Sequence, residues 1–223
     1  GYAYKPVNAC ILPVQQLHGQ AVITVEGLSD NEALHPAQAA LIKTHGAQCG
    51  FCTPGFVMAL AGWLDEQAFS AGLDGDGPPK LNNKQAETMR LKACREAISG
   101  NLCRCTGYRP ILQAAKHLAN SPGAALFETH KRLDKALFDS RPDHSGPYNT
   151  GFREPQTLDD LKGLLRQQPR ANLIAGGTDL MLEVTQKQGR FDQLISLARV
   201  HELQKLEINA DSAIIGSAVT YQN

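Results

Sequence analysis

The chain has 223 residues, enough for one large or two small domains with cores of their own, so its size calls for no disulfide staples. Lysine plus arginine equals aspartate plus glutamate at 22 each, which removes the basic footprint of a nucleic-acid or anionic-membrane binder. No apolar run approaches the roughly 18 residues of a spanning helix, and the first residues form no export signal, so the expectation is a soluble, cytoplasmic protein.

Residues 9–28, "ACILPVQQLHGQAVITVEGL", are rich in β-branched side chains and broken at Pro13 and His18-Gly19. They predict short strands, the tail of a β-containing unit. The chain opens without methionine and both of its ends fall inside such units, as in a fragment. From about 35 to 120 the pattern becomes helical. Pro36 suits a first helical position, the segment runs to Thr44, and Gly46 is expected to close it in the left-handed conformation. A second helix is expected with Thr53 as cap and Pro54 as first residue, burying Phe56, Val57, Leu60, Ala61 and Leu64. After a breaker-rich loop at 70–83, a helix over roughly 84–98 aligns Leu91, Cys94 and Ile98 on one stripe, and Gly100 ends it. Pro110 opens a last helix with Ile111, Ala115 and Leu118 inward. Two helix–turn–helix hairpins packed together predict a four-helix bundle with both turns at one end.

Those turns carry the chemistry. "GAQCGFCTPGF" holds Cys49 and Cys52, and "GNLCRCTGYRP" holds Cys103 and Cys105. Intracellular thiols at such spacing are metal ligands more often than disulfides. A [2Fe–2S] cluster needs two thiolates on each of two irons, and a tetrahedral zinc site needs the same four sulfurs, so spacing alone leaves both open. Cys94, inside a helical stripe, reads as a small core residue. The seven histidines form no ligand set; His35, His45 and His117 read as helix-terminal or surface groups, and no general acid or base stands out.

Residues 121–150, with Pro122, Pro142 and Pro147, read as a linker. Beyond it Thr157 caps a helix through about Gln167, with Asp159 and Asp160 in its first turn, and "ANLIAGGTDL" is a strand entering a double-glycine turn. Short strands follow at "DQLISL", "KLEI" and "AIIGSAV". Gly176 and Gly177 could bring backbone N–H groups to a pyrophosphate, helped by a helix N-terminus, but a Gly-Gly-Thr-Asp turn alone is more often only a turn.

The pair "QCGFCTPG" and "GNLCRCTGYRPI" closely resembles the second [2Fe–2S] domain of the molybdenum hydroxylases, the xanthine dehydrogenase and aldehyde oxidase family. The resemblance extends over nearly the whole chain. It implies an α+β multi-domain architecture: 1–28 as the end of a β-grasp ferredoxin-like domain, 29–120 as a helical [2Fe–2S] domain, 121–150 as linker, and 151–223 as the start of an α/β FAD-binding domain of PCMH type. Cys49, Cys52, Cys103 and Cys105 would then ligate the cluster nearer the molybdenum. Cys10 would be the fourth ligand of a second, plant-type cluster, and Gln48 the contact to the pterin of a molybdenum cofactor on the neighbouring subunit or domain. Leu173, Ile174, Ala175, Gly176, Gly177, Thr178, Asp179 and Leu180 would form the FAD strip, with 215–220 facing the flavin. The resemblance further implies a molybdenum-binding large subunit in a hetero-oligomer, NAD as acceptor, and hypoxanthine and xanthine as substrates by analogy, with aldehydes and N-heterocycles open. A fused single chain would read the same.

Overall fold

The computed structural model describes residues 5–17, 20–29, 33–73, 83–120 and 151–220. Two compact units emerge from the contacts, one built from residues 1–6 and 21–140 and the other from 7–20 and 141–223. The predicted linker at 121–150 and residues 74–82 of the predicted loop lie outside the described residues.

In the first unit four helices pack in a ring: α1 Pro36–Lys43, α2 Thr53–Leu73, α3 Asn83–Ala97 and α4 Arg109–Asn120. α1 and α3 each lean on α2 and α4. α1 starts where proline's fixed φ and missing N–H cost nothing. His35 caps it, its Nδ1 accepting the Ala37 N–H at 3.1 Å while its own N–H donates to Gln38 Oε1 at 2.9 Å. At the other end the left-handed residue is His45, φ 54°, rather than the predicted Gly46. The His45 N–H reaches Ile42 O and the Gly46 N–H reaches Leu41 O at 2.8 Å, the bond pattern that closes a helix one residue earlier than expected.

α2 departs from the prediction at its start. Thr53 is its first residue, not its cap, and the Thr53 hydroxyl is buried without a hydrogen-bond partner among the described residues. The predicted apolar face is buried, but so are Ala59 and Trp63, because α1, α3 and the turn at Val25–Leu28 all pack against this helix. Leu60, Cys94, Ile111, Ala114 and Ala115 are all fully enclosed in the same cluster. Cys94 sits at the α3–α4 contact with its Sγ 3.6 Å from Ala115 O, and burial pushes its thiol up to about 12.

Among the described residues of 9–28 the predicted strands do not form. Their described part holds two single turns of 3₁₀ helix, Val14–Leu17 and Val25–Leu28. A strand satisfies its backbone only through a neighbouring strand. Here donors are met locally, the Gln16 N–H by Pro13 O and the Gly27 N–H by Thr24 O, both at 3.0 Å.

The second unit carries a parallel sheet in the order β1 Phe152–Arg153, β3 Leu194–Ser196, β2 Asn172–Ile174. α5 Leu158–Gln167 crosses from β1 to β2 and covers the sheet through Leu161, which packs with Ile195 and Val200. Its cap is the predicted one: Thr157 Oγ1 accepts the Asp160 N–H at 3.1 Å and donates to Asp160 Oδ2 at 2.8 Å. From the same unit, Gln16 Nε2 donates to the buried Ser196 Oγ at 3.1 Å. A separate antiparallel hairpin joins β4 Leu206–Ile208 to β5 Ala213–Ile215 and leaves all six of its residues exposed.

Candidate functional site

Each cysteine pair sits on the turn between two helices of the first unit. The α1–α2 turn is pinned where the Thr53 N–H meets Gly50 O at 3.2 Å, and the α3–α4 turn where the Asn101 N–H meets Ile98 O at 3.0 Å. The two turns approach at their bases: a Cβ on Gly55 would stand 2.8 Å from Asn101 Oδ1, so a side chain there would have to push the Asn101 amide aside. The four sulfurs line one open pocket of about 530 Å³, together with Phe51, Leu102, Arg104 and Tyr108.

The sulfurs meet across the turns. Cys105 Sγ stands 3.3 Å from Cys49 Sγ, and Cys52 and Cys103 line the same pocket. The close sulfur contact thus takes one cysteine from each turn. The Cys105 thiol donates to Cys49 Sγ. The Phe51 N–H and the Cys105 thiol hold Cys49 below the usual thiol range, and that same bond to Cys49 raises Cys105. Cys52 is raised, first by burial. Cys103 is lowered to about 7, chiefly by the side chain of Thr106 and then by its backbone N–H.

Thr106 and Tyr108 were not singled out by sequence. Thr106 Oγ1 lies 3.1 Å from Cys103 Sγ and the Thr106 N–H 3.5 Å from it. The Cys103 N–H donates to the Tyr108 hydroxyl at 2.9 Å, and the Tyr108 ring meets Phe56 edge to face, 6.4 Å between centroids. The available signal was a hydroxyl residue directly behind a ligand-type cysteine, followed by a glycine turn.

Among the described residues no three His, Cys, Asp or Glu side chains converge tightly enough to ring a single ion. Four sulfurs in one pocket, with no nitrogen or carboxylate among them, match the donor set of a [2Fe–2S] cluster and of a Cys₄ zinc site. Phe51, at 94% exposure, and Leu102, at 82%, stand out from the rim beside exposed Cys49 and Cys105.

Gln48 is exposed next to Cys49. Cys10 belongs to the second unit and is exposed, its N–H on Asn8 Oδ1 at 3.0 Å. In the double-glycine turn, β2 ends at buried Ile174; Ala175 and Gly176 are exposed, and Gly177 is buried at φ 71°. A Cβ on Gly177 would meet Ile11 O at 2.8 Å, whereas nothing lies near one on Gly176. Thr178 and Asp179 are exposed, and the helix that follows, α6 Leu182–Thr185, has a single turn. The expected helix dipole is therefore slight, and the donors this strip can offer are backbone N–H groups.

Residues 24–116 match the [2Fe-2S] binding domain family and residues 148–223 match the FAD binding domain in molybdopterin dehydrogenase. The chain is 34% identical to a xanthine dehydrogenase of Drosophila subobscura over 96% of its length. It is 30% identical to xanthine dehydrogenase/oxidase of Mus musculus and 28% identical to aldehyde oxidase 3 of Rattus norvegicus, each over 95% of its length. In turn it spans 18%, 17% and 18% of those three proteins.

Proposed function

The chain belongs to the molybdenum hydroxylase family as its iron–sulfur and FAD-binding region, and from that premise we propose that it relays electrons from a partner's molybdenum centre to FAD. The observation that carries this reading is the meeting of four cysteines from two turns in one pocket, with Cys49 and Cys105 in contact across the turns. Cys49, Cys52, Cys103 and Cys105 would together hold the two irons. When bound, the cluster supplies one-electron capacity and the flavin couples it to two-electron chemistry.

What this chain contributes is position. The turns hang from four helices sharing one core, which brings the four cysteines to one pocket. Their exposure, with Phe51 and Leu102 on the rim, suits electron exchange with a neighbouring domain. Gln48 beside Cys49 is the residue offered to the pterin of that neighbour, a molybdenum-binding large subunit or a domain of a fused chain. Cys10 completes a second, ferredoxin-type cluster in the β-grasp domain that residues 1–28 would end, while 29–120 form the helical cluster domain and 121–150 the linker. Residues 151–223 begin the PCMH-type FAD domain, in which Leu173, Ile174, Ala175, Gly176, Gly177, Thr178, Asp179 and Leu180 approach the flavin's pyrophosphate through backbone N–H groups. We assign the whole enzyme as a cytoplasmic hetero-oligomer that oxidises hypoxanthine and xanthine to urate with NAD as acceptor, since relatives at 30% identity and above are xanthine dehydrogenases. The aldehyde oxidase relative defines the competing substrate class.

Metal analysis and visible absorption test the reading. Anaerobically purified protein is expected to be brown, to contain iron and acid-labile sulfide, and to turn paramagnetic on one-electron reduction. Zinc without iron in colourless protein would replace it with a structural Cys₄ module. With the partner present, faster turnover of an aldehyde than of xanthine would overturn the purine assignment alone.

A further inference from the structure

One of the four sulfurs differs from the others in its hydrogen bonds. Cys103 Sγ has the Thr106 hydroxyl at 3.1 Å and the Thr106 N–H at 3.5 Å. The direction of the first bond follows from a third. Thr106 Oγ1 already accepts the Tyr108 N–H at 3.1 Å, and once Cys103 is a thiolate it can only accept, so the hydroxyl proton goes to the sulfur. Among the described residues, Thr106 is the one side chain outside the cysteines themselves that hydrogen-bonds any of the four sulfurs.

The turn is shaped to hold it there. Gly107 and Tyr108 are both left-handed, φ 64° and 66°, a conformation that costs a tyrosine free energy unless its surroundings enforce it. Three contacts do so: the Tyr108 hydroxyl accepts the Cys103 N–H at 2.9 Å, its ring edge rests on buried Phe56, and its N–H fixes Thr106 Oγ1. The result is a closed ring of bonds, Cys103 to Tyr108 to Thr106 and back to Cys103. Strained backbone kept by three independent contacts points to a geometry that matters at the sulfur.

We propose that Thr106 is the positioning residue that sets the reduction potential of the cluster held by these cysteines, with Tyr108 locking its hydroxyl onto Cys103 Sγ. This rests on the iron–sulfur reading above. Reduction adds one electron, taking one ferric ion to ferrous with no bond made or broken, and the added negative charge spreads onto the sulfurs. A donor on a sulfur therefore stabilises the reduced state more than the oxidised one and raises the potential. Because both donors converge on Cys103, the added electron is expected to favour the iron that Cys103 holds.

The test is a dithionite redox titration of the complete protein, followed by electron paramagnetic resonance of this cluster, with iron and sulfide measured first. Thr106→Val keeps the shape and removes the hydroxyl. It is expected to make reduction about tenfold less favourable, about 59 mV for one electron. Thr106→Ser restores the donor and is expected to restore the wild-type potential. Tyr108→Phe removes the acceptor that anchors the turn and is expected to shift the potential in the same direction by a smaller amount. An unchanged potential in Thr106→Val with full iron content, or an equal shift in Thr106→Ser, overturns the proposal. Should Thr106→Val lose its iron, Thr106→Ala is titrated in its place, and loss of iron from both marks Thr106 as an assembly residue and likewise overturns it. Absence of iron from the wild-type protein would overturn the iron–sulfur reading itself.

Discussion

The helical unit supports its cysteine turns on one continuous core that runs through Phe56, Leu60, Trp63, Cys94, Ile111 and Leu118. The α/β unit sets its glycine turn beside a small core of Leu161, Ile195 and Val200, and its β4–β5 hairpin leaves Ile208 and Ile215 mostly in solvent. The contrast shows two ways of fixing a turn. In the first unit each turn is clamped between helices whose packing decides where the sulfurs go. In the second, one close approach, Gly177 under Ile11 O, decides the path of the chain. Damage to the first unit should therefore spread through its core, and damage to the second should stay local.

The largest expected effect comes from the sulfurs. Cys103→Ser should abolish the visible absorption of the helical-unit cluster, while Cys94→Ser, in the α3–α4 contact, should leave that spectrum and cost only stability, read by iron content and thermal melting. Equal behaviour of the two would separate the pocket from the metal. Next comes the core: Leu60→Ala is expected to destabilise the helical unit by about 2–5 kcal/mol, measured by denaturant unfolding, with flavin content unchanged. A matching loss of flavin would break the claim that the units answer separately. Gly177→Ala is expected to cost the α/β unit about 1–3 kcal/mol, since alanine must take φ 71° and press its methyl on Ile11 O. Its iron content should stay whole and its flavin content should fall.

The smallest effect is on pH. Burial lowers His35 to about 4 from an ordinary value of 6.5, against the charge of Asp65, which pulls the other way. The unfolded chain then binds a proton that the folded one refuses. The stabilisation is complete above about 6.5 and is lost as pH falls from there toward about 4, by about 1–2 kcal/mol once remaining solvent access is allowed for. Melting of the helical unit across that window measures it. The loss should disappear in His35→Asn, which can still cap α1.

Much of the helical unit was legible because its signals are local. Proline at helix starts, an apolar stripe through Leu91, Cys94 and Ile98, and breakers between hairpins all act within a few residues of the structure they dictate. The cysteine turns stood out for the same reason. The strands predicted for 9–28 failed because β-branched composition states a preference, whereas a ladder requires a partner that sequence alone does not supply. The His45 closure and the unpartnered Thr53 hydroxyl were missed for a related cause: several backbone bonds near a helix end are nearly equivalent, and packing chooses among them. The Cys49–Cys105 approach arises from two turns meeting in space, which spacing along one turn cannot encode, whereas the Thr106 bond lies within one turn and depends on the left-handed backbone at Gly107 and Tyr108.

The most direct test of the central claim is iron and acid-labile sulfide analysis, with electron paramagnetic resonance, on this chain carrying Cys10→Ser, so that Cys49, Cys52, Cys103 and Cys105 remain as the pocket's ligands. Iron and sulfide in a ratio of about one, with a signal appearing on one-electron reduction, is the predicted result. Zinc in place of iron, or iron that disappears with Cys10, would contradict it.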